Sequence, residues 1–145
     1  MGFIDYLKDR GELLTLSNPL DPRFEISTIL SELGKKEAQA ILFKKVKGHS
    51  FPVVGNLLGT KKRLALALGV EEEHLIEEVI QKLDHKIPPV LISKPSPKEA
   101  IIQKGRIDIL KLLPILTHYS NDSGPYITSG ITSAKDPRNG VTGRG

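Results

Sequence analysis

Chemistry in this 145-residue chain can be sought first at its histidines, its clustered cations and the hydroxyl-rich stretch near its end. His49 lies between Gly48 and Ser50, and His118 between Thr117 and Tyr119. An imidazole in such a loop can ligate a metal or pass a proton near neutral pH, while one without a partner set reads as a structural hydrogen-bonding residue. His74 and His85 fall on one predicted helix without the i, i+4 spacing that shares a metal, so they read as surface residues. Lys44-Lys45-Val46-Lys47 and Lys61-Lys62-Arg63 are the two cation clusters, and neither is accompanied by an aromatic platform for bases. There is no cysteine, which excludes disulfides, thiolate metal sites and thiol nucleophiles. No Ser/His/Asp signature and no phosphate-cradling glycine loop is present.

Several elements must position these residues. Phe3, Ile4 and Leu7 share a helical face, so residues 2 to 10 are predicted helical with Gly11 as a left-handed stop. Leu13 to Leu16 reads as a strand ended by Asn18-Pro19. Asp21-Pro22 predicts a helix start, with Phe24, Ile29, Leu30 and Leu33 as the buried face and Gly34 as the end. Ala40 to Phe43 and Pro52 to Val54 are apolar runs suited to buried strands, joined by an exposed loop from Lys44 to Ser50. Thr60 is placed to cap a helix through Leu68 that Gly69 closes. In its first turn Lys61, Lys62 and Arg63 oppose the helix dipole, to be explained by an anionic partner, by a neighbouring subunit's carboxylate or as tolerated surface charge. Glu71 to Lys86 carries Leu75, Val79, Leu83 and Ile87 every four residues, widened by Ile76 and Ile80, which predicts a helix buried along that stripe. Val90 to Ile92 reads as a further strand, Ser93 to Pro97 as a crossing segment, and Ala100 to Leu116 as strand or helix.

Composition narrows the class. Hydrophobic residues make up 39% and charged residues 26%, as in ordinary globular domains. No apolar run approaches the roughly 20 residues that cross a bilayer, so no transmembrane segment is expected and the cytoplasm is the default location. The net charge of +4 and pI near 9.3 raise nucleic acid as a partner, but the basic residues are scattered among acids and read as a solvated surface. Alternating strands and helices predict an α/β domain over residues 1–95.

Residues 126 to 133, Tyr-Ile-Thr-Ser-Gly-Ile-Thr-Ser, form a β-branched, period-two run after Gly124-Pro125. Asp136-Pro137-Arg138-Asn139-Gly140 supplies turn residues, so the chain is expected to double back as a hairpin with Val141 and Thr142 opening the return strand. A lone hairpin is marginal in water, and the chain reads as the front part of a larger protein.

Two segments carry a resemblance: Gly48-His49-Ser50-Phe51-Pro52-Val53, with Asn56-Leu57-Leu58-Gly59-Thr60 and Arg63, and Leu113-Pro114-Ile115-Leu116-Thr117-His118 followed by Gly124-Pro125-Tyr126-Ile127-Thr128-Ser129-Gly130-Ile131-Thr132. In this order they resemble the UbiD family of decarboxylases, which act on acids such as 3-polyprenyl-4-hydroxybenzoate. The resemblance implies a mixed α/β domain leading into the first strands of a split β-barrel, with residues 96–145 as the crossing segment and start of that incomplete cofactor domain. It implies prenylated FMN, a divalent metal (Mn or Mg) and K+ in the full-length protein, with a flavin prenyltransferase as cofactor supplier. It further implies a small carboxylic acid substrate, a homo-oligomer and no nucleic acid.

The family's catalytic Glu-Arg-Glu set does not fall within these residues, so the resemblance assigns no catalytic residue here and implies an inactive fragment. Thr128 matches a family threonine beside the flavin; the alternative is a residue that simply favours a strand. The family's metal-binding asparagine falls at Gly143 when counted without gaps, and Asn139 serves only if the register shifts. A stand-alone binding module for nucleic acid or another anion is the competing class.

Overall fold

The computed structural model describes residues 2–36, 39–85, 87, 88, 90, 93, 102, 103, 105 and 107–145. The chain opens with α1 (Phe3–Asp9), closed by Gly11 at φ 70, and passes into β1 (Leu13–Leu16). Both follow the sequence expectation, since an amphipathic turn with a left-handed glycine stop is a local signal.

The next helix, α2 (Glu25–Lys36), departs from the expectation at both ends. Asp21 does not cap it directly. Its Oδ1 accepts from the Arg23 amide at 2.7 Å, while the Glu25 carboxylate accepts from the Asp21 amide at 2.6 Å. Between them Phe24 stands at φ 71, so the chain kinks before the helix begins. Gly34 is not a stop either, because α2 continues through it. Its hydrogen faces Asn56, whose Nδ2 would lie 3.1 Å from a Cβ there and donates to the Leu30 carbonyl at 3.0 Å. Close approach, not helix termination, requires this glycine.

After α2 the chain forms β2 (Ala40–Phe43), parallel to β1 with Leu13 opposite Ala40, and β3 (Val53–Gly55), antiparallel to β2 with Leu42 opposite Val54. The order β1-β2-β3 makes a three-stranded mixed sheet. Ile41 and Phe43, two apart and so on one face, join Ile26 of α2, Val46 and Leu116 in the core cluster. At Gly55 an added Cβ would fall on the Leu30 methyls, so α2 and β3 meet there at backbone distance.

Thr60 caps α3 (Lys61–Leu68), its hydroxyl accepting from the Arg63 amide at 3.2 Å, and Gly69 closes it at φ 72, as read from the sequence. The long helix expected over 71–86 is a 3-10 turn at Glu72–His74 followed by α4 (Leu75–Asp84). The expected burial of its stripe does not hold. Leu75 is buried, but Val79 is 40%, Ile80 56% and Leu83 68% exposed. The strand read over Val90 to Ile92 and most of the crossing segment lie outside the described residues.

In the ambiguous stretch, Asp108 caps a single turn, α5 (Ile109–Leu112), its side chain accepting from the Lys111 amide. Residues 113–118 then run as a strap onto the start of α2. Thr117 donates to the Pro22 carbonyl at 3.2 Å and accepts from the Phe24 amide at 3.0 Å.

The expected hairpin forms, but shorter. β4 (Ser133–Lys135) pairs antiparallel with β5 (Thr142–Arg144), and mutual bonds between Thr132 and Gly145 extend the ladder by one pair. Asp136 Oδ1 accepts from Arg138, Asn139 Oδ1 accepts from Val141, and Gly140 takes φ 73, so the turn uses the residues the sequence offered for it. Residues 126 to 131 are not strand. Period-two patterning supplies the side chains of a strand but not the neighbour that makes one.

Candidate functional site

Thr128 lies in a turn at the rim of a cleft of about 210 Å³. Val53 and Val54 of β3 form one wall, the strap residues Leu113 to Leu116 another, and His118 with Tyr126 to Ser129 the rest. The cleft is built by two local devices. The Asp122 carboxylate accepts from the His118 and Tyr119 amides at 3.2 and 2.8 Å, closing the turn after the strap. The Tyr126 amide then donates to the Leu116 carbonyl at 3.1 Å, which lays residues 126–129 back beside the strap.

Across that return the His118 and Tyr126 rings pack with centroids 4.8 Å apart, tilted by 42°. Desolvation, then the nearby Asp122 and Tyr119, pushes the Tyr126 phenol above its usual value, so at neutral pH it is a neutral group able to donate a hydrogen bond. His118 borders a second, polar cleft as well, shared with Ser27, Thr28, Ser31, Glu32 and Tyr119. The two clefts share His118. Sequence inspection alone does not pair β3 with Thr128, because nothing local marks a contact across some seventy residues.

The remaining histidines are elsewhere. His49 does not border the cleft; its amide donates to the Val46 carbonyl at 3.1 Å in a tight turn made by Gly48 at φ 79. Its Nδ1 is buried with no hydrogen-bond partner among the described residues. His74 lies 3.5 Å from Glu77, and His85 contacts the Gln81 carbonyl at 3.0 Å. Among the described residues no group of three or more His, Asp or Glu side chains could hold a metal ion.

For Lys62 and Arg63, two of the three cations at the start of α3, the structure differs from the sequence expectations, while Lys61 is an exposed surface charge. Arg63 is 1% exposed, its guanidinium donating to the Leu57 and Asn56 carbonyls at 3.1 and 3.0 Å and reaching Glu12 Oε2 at 3.4 Å. Lys62 binds the other oxygen of Glu12. The carboxylate that holds two of the three cations thus comes from this chain's own β1 approach, and Arg63 is not available to an external anion. Gly59 leaves room for it, since a Cβ there would lie 3.1 Å from the guanidinium.

An α/β domain whose last strap carries the chain into an unclosed β structure defines the class of protein. Residues 4–83 match the model of the 3-octaprenyl-4-hydroxybenzoate carboxy-lyase N-terminal domain, and residues 90–145 match that family's Rift-related domain. The chain belongs to the UbiD family. It resembles the UbiD-class enzyme HmfF from Pelotomaculum thermopropionicum, solved in complex with FMN, at 35% identity and a TM-score of 0.86, covering 98% of this chain and 32% of that one. An evolved dimeric form of the same enzyme in complex with prFMN matches at 35% identity and TM-score 0.85, covering 98% of this chain and 33% of that one. The vanillic acid decarboxylase of Sedimentibacter hydroxybenzoicus shares the fold at 24% identity and TM-score 0.85, covering 99% of this chain and 32% of the other. The chain therefore spans about a third of the length of these proteins. No helix among the described residues is long and apolar enough to cross a membrane.

Proposed function

We propose that this chain is the N-terminal region of a decarboxylase that removes carbon dioxide from an aromatic or α,β-unsaturated carboxylic acid with prenylated FMN, and that it is inactive without the remainder. The observation that carries the reading is the 35% identity over 98% of the chain to a UbiD-class enzyme that binds FMN. In this reading the division near residue 95 separates the α/β domain from the opening of the cofactor domain. A flavin prenyltransferase supplies the cofactor, and the working protein is a cytoplasmic homo-oligomer.

The residues at the Thr128 cleft fit one edge of such a cofactor. Two hydroxyls, Thr128 and Ser129, stand against an apolar wall of Val53, Val54 and Ile127. When bound, the flavin supplies the electron sink for the departing carboxyl group. The chain's part is placement. Thr128 would hold the cofactor's edge through its hydroxyl, and Val53 and Val54 would keep water from that side, with the strap setting the width of the cleft. Among the described residues, no ligand set for the divalent metal or K+ is found. Asn139 Oδ1 is engaged by the Val141 amide, and Gly143, opposite Ala134, has no side chain to coordinate with. No step is derived through either ion.

The test is the full-length protein made alongside a flavin prenyltransferase. Flavin absorbance and carbon dioxide release are expected, and neither from residues 1–145 alone. Thr128→Val should lower cofactor occupancy or rate several-fold, as expected for losing a hydrogen bond of about 0.5–1.5 kcal/mol, without unfolding the protein. A valine variant matching the parent would leave Thr128 as a turn residue only, and a full-length protein that never takes up flavin would refute the reading.

A further inference from the structure

Helix α4 turns an apolar stripe outward. Ile76, Ile80 and Leu83 are 67%, 56% and 68% exposed, with the 40% exposed Val79 beside them, while Leu75 alone in the helix is buried. Positions i, i+3, i+4 and i+7 fall on one side of a helix, and the alternation of four- and three-residue steps is that of a seam into which a second helix packs. The stripe's shape therefore selects a helix as its occupant.

Charge selects which helix. Residues 71–84 hold six carboxylates against one cation, Lys82, in a chain whose net charge is +4. At 3.6 residues per turn, Glu77 and Asp84 of α4 line the same edge of the stripe. A second copy seated antiparallel on this face would set those acidic edges against each other, and an anionic lipid surface would be repelled by them. An edge of Lys or Arg is the complement.

We propose that the α4 stripe seats an amphipathic helix edged by Lys and Arg, supplied by the part of the decarboxylase polypeptide outside this chain. The source rests on the functional reading above; the chemistry of the occupant does not. Relatives in which the matched part is only 32% of the chain have ample length to supply such a helix.

Two measurements test it. In the first, the 145-residue chain is titrated with a labelled helical peptide of about three heptads, with leucine seams and Lys/Arg edges, and with its Glu-edged counterpart. Saturable binding of the basic peptide only is expected, weakening with salt. Ile80→Ser and Leu83→Ser, at exposed positions, should weaken it while circular dichroism stays unchanged, and Glu77→Lys with Asp84→Lys should reverse the preference. Equal binding of both peptides, indifference to Ile80→Ser, or dimerisation of the chain itself through these residues would overturn the proposal. In the second, hydrogen exchange compares α4 in the full-length protein with α4 in residues 1–145. Protection that appears in the full-length protein and survives dilution is expected. Unprotected α4 amides, or protection lost on dilution, would overturn the assigned source. Flavin uptake and carbon dioxide release are read separately, so failure of the functional reading is distinguishable from failure here.

Discussion

Ser27 Oγ, on α2, lies 3.2 Å from the carbonyl oxygen of His118, which follows it by 91 residues. The same hydroxyl is 3.0 Å from the Phe24 carbonyl and 3.3 Å from that of Thr117, so one proton serves three acceptors around the kink where the strap lands. The side chain that seals this landing is Leu116, 9% exposed within the core cluster.

Leu116→Ala is expected to destabilise the chain by about 2–4 kcal/mol, because it leaves a cavity in that cluster. Ser27→Ala should cost about 1 kcal/mol and mainly loosen the strap. Denaturant titration measures the first, and the rate of proteolysis between 113 and 126 the second. Unchanged cleavage in Ser27→Ala would mean that the backbone bonds of Thr117 hold the strap by themselves.

The Glu12 carboxyl is held below the usual glutamate value, chiefly by its hydrogen bond to Lys62 and then by Arg63, against an opposing effect of burial. A group whose folded pKa is depressed binds fewer protons folded than unfolded. Its contribution to stability is therefore present above the unfolded value and lost as the pH falls through the folded one. Glu12→Gln should flatten that acid limb, and lower stability at neutral pH by about 1–3 kcal/mol because Arg63 keeps its carbonyl partners but loses its counter-charge. Melting curves across the acid range check this; parallel curves for parent and variant would exclude Glu12 as the titrating group.

Leu75→Ala should destabilise by about 2–4 kcal/mol, whereas Leu83→Ala, on the exposed stripe of the same helix, should change stability by less than about 0.5 kcal/mol in residues 1–145. Urea midpoints compared at equal slope decide it. Equal losses would place the outer stripe in the core after all, as the periodicity alone suggests.

What the sequence made legible is local. The Gly11 and Gly69 stops, the Thr60 cap and the Asp136 to Gly140 turn are each set by residues within a few positions of one another, and all are found as read. What stayed hidden depends on distant partners. Arg63 is buried because Glu12 stands beside it, 51 residues earlier, and Gly34 is needed because Asn56 arrives there. The stripe on α4 was read correctly as a stripe, but amphipathicity says only that a face seeks cover, not which part of a polypeptide provides it. At the candidate site the motif singles out Thr128 as an expectation, but nothing in it announces the cleft that Thr128 borders. Val53 and Val54 reach it through the packing of the strap, and Tyr126 meets His118 only because Asp122 closes the turn between them.

The strap also bears on the order of events during synthesis. A core cluster that includes Leu116 cannot close while that residue is still within the ribosome, so β1, α2 and β2 must wait for much of the chain that follows them. Domains otherwise tend to fold one after another as they emerge. Here the α/β domain reaches its final packing only once Leu116, within the stretch that matches the Rift-related domain, has itself left the ribosome.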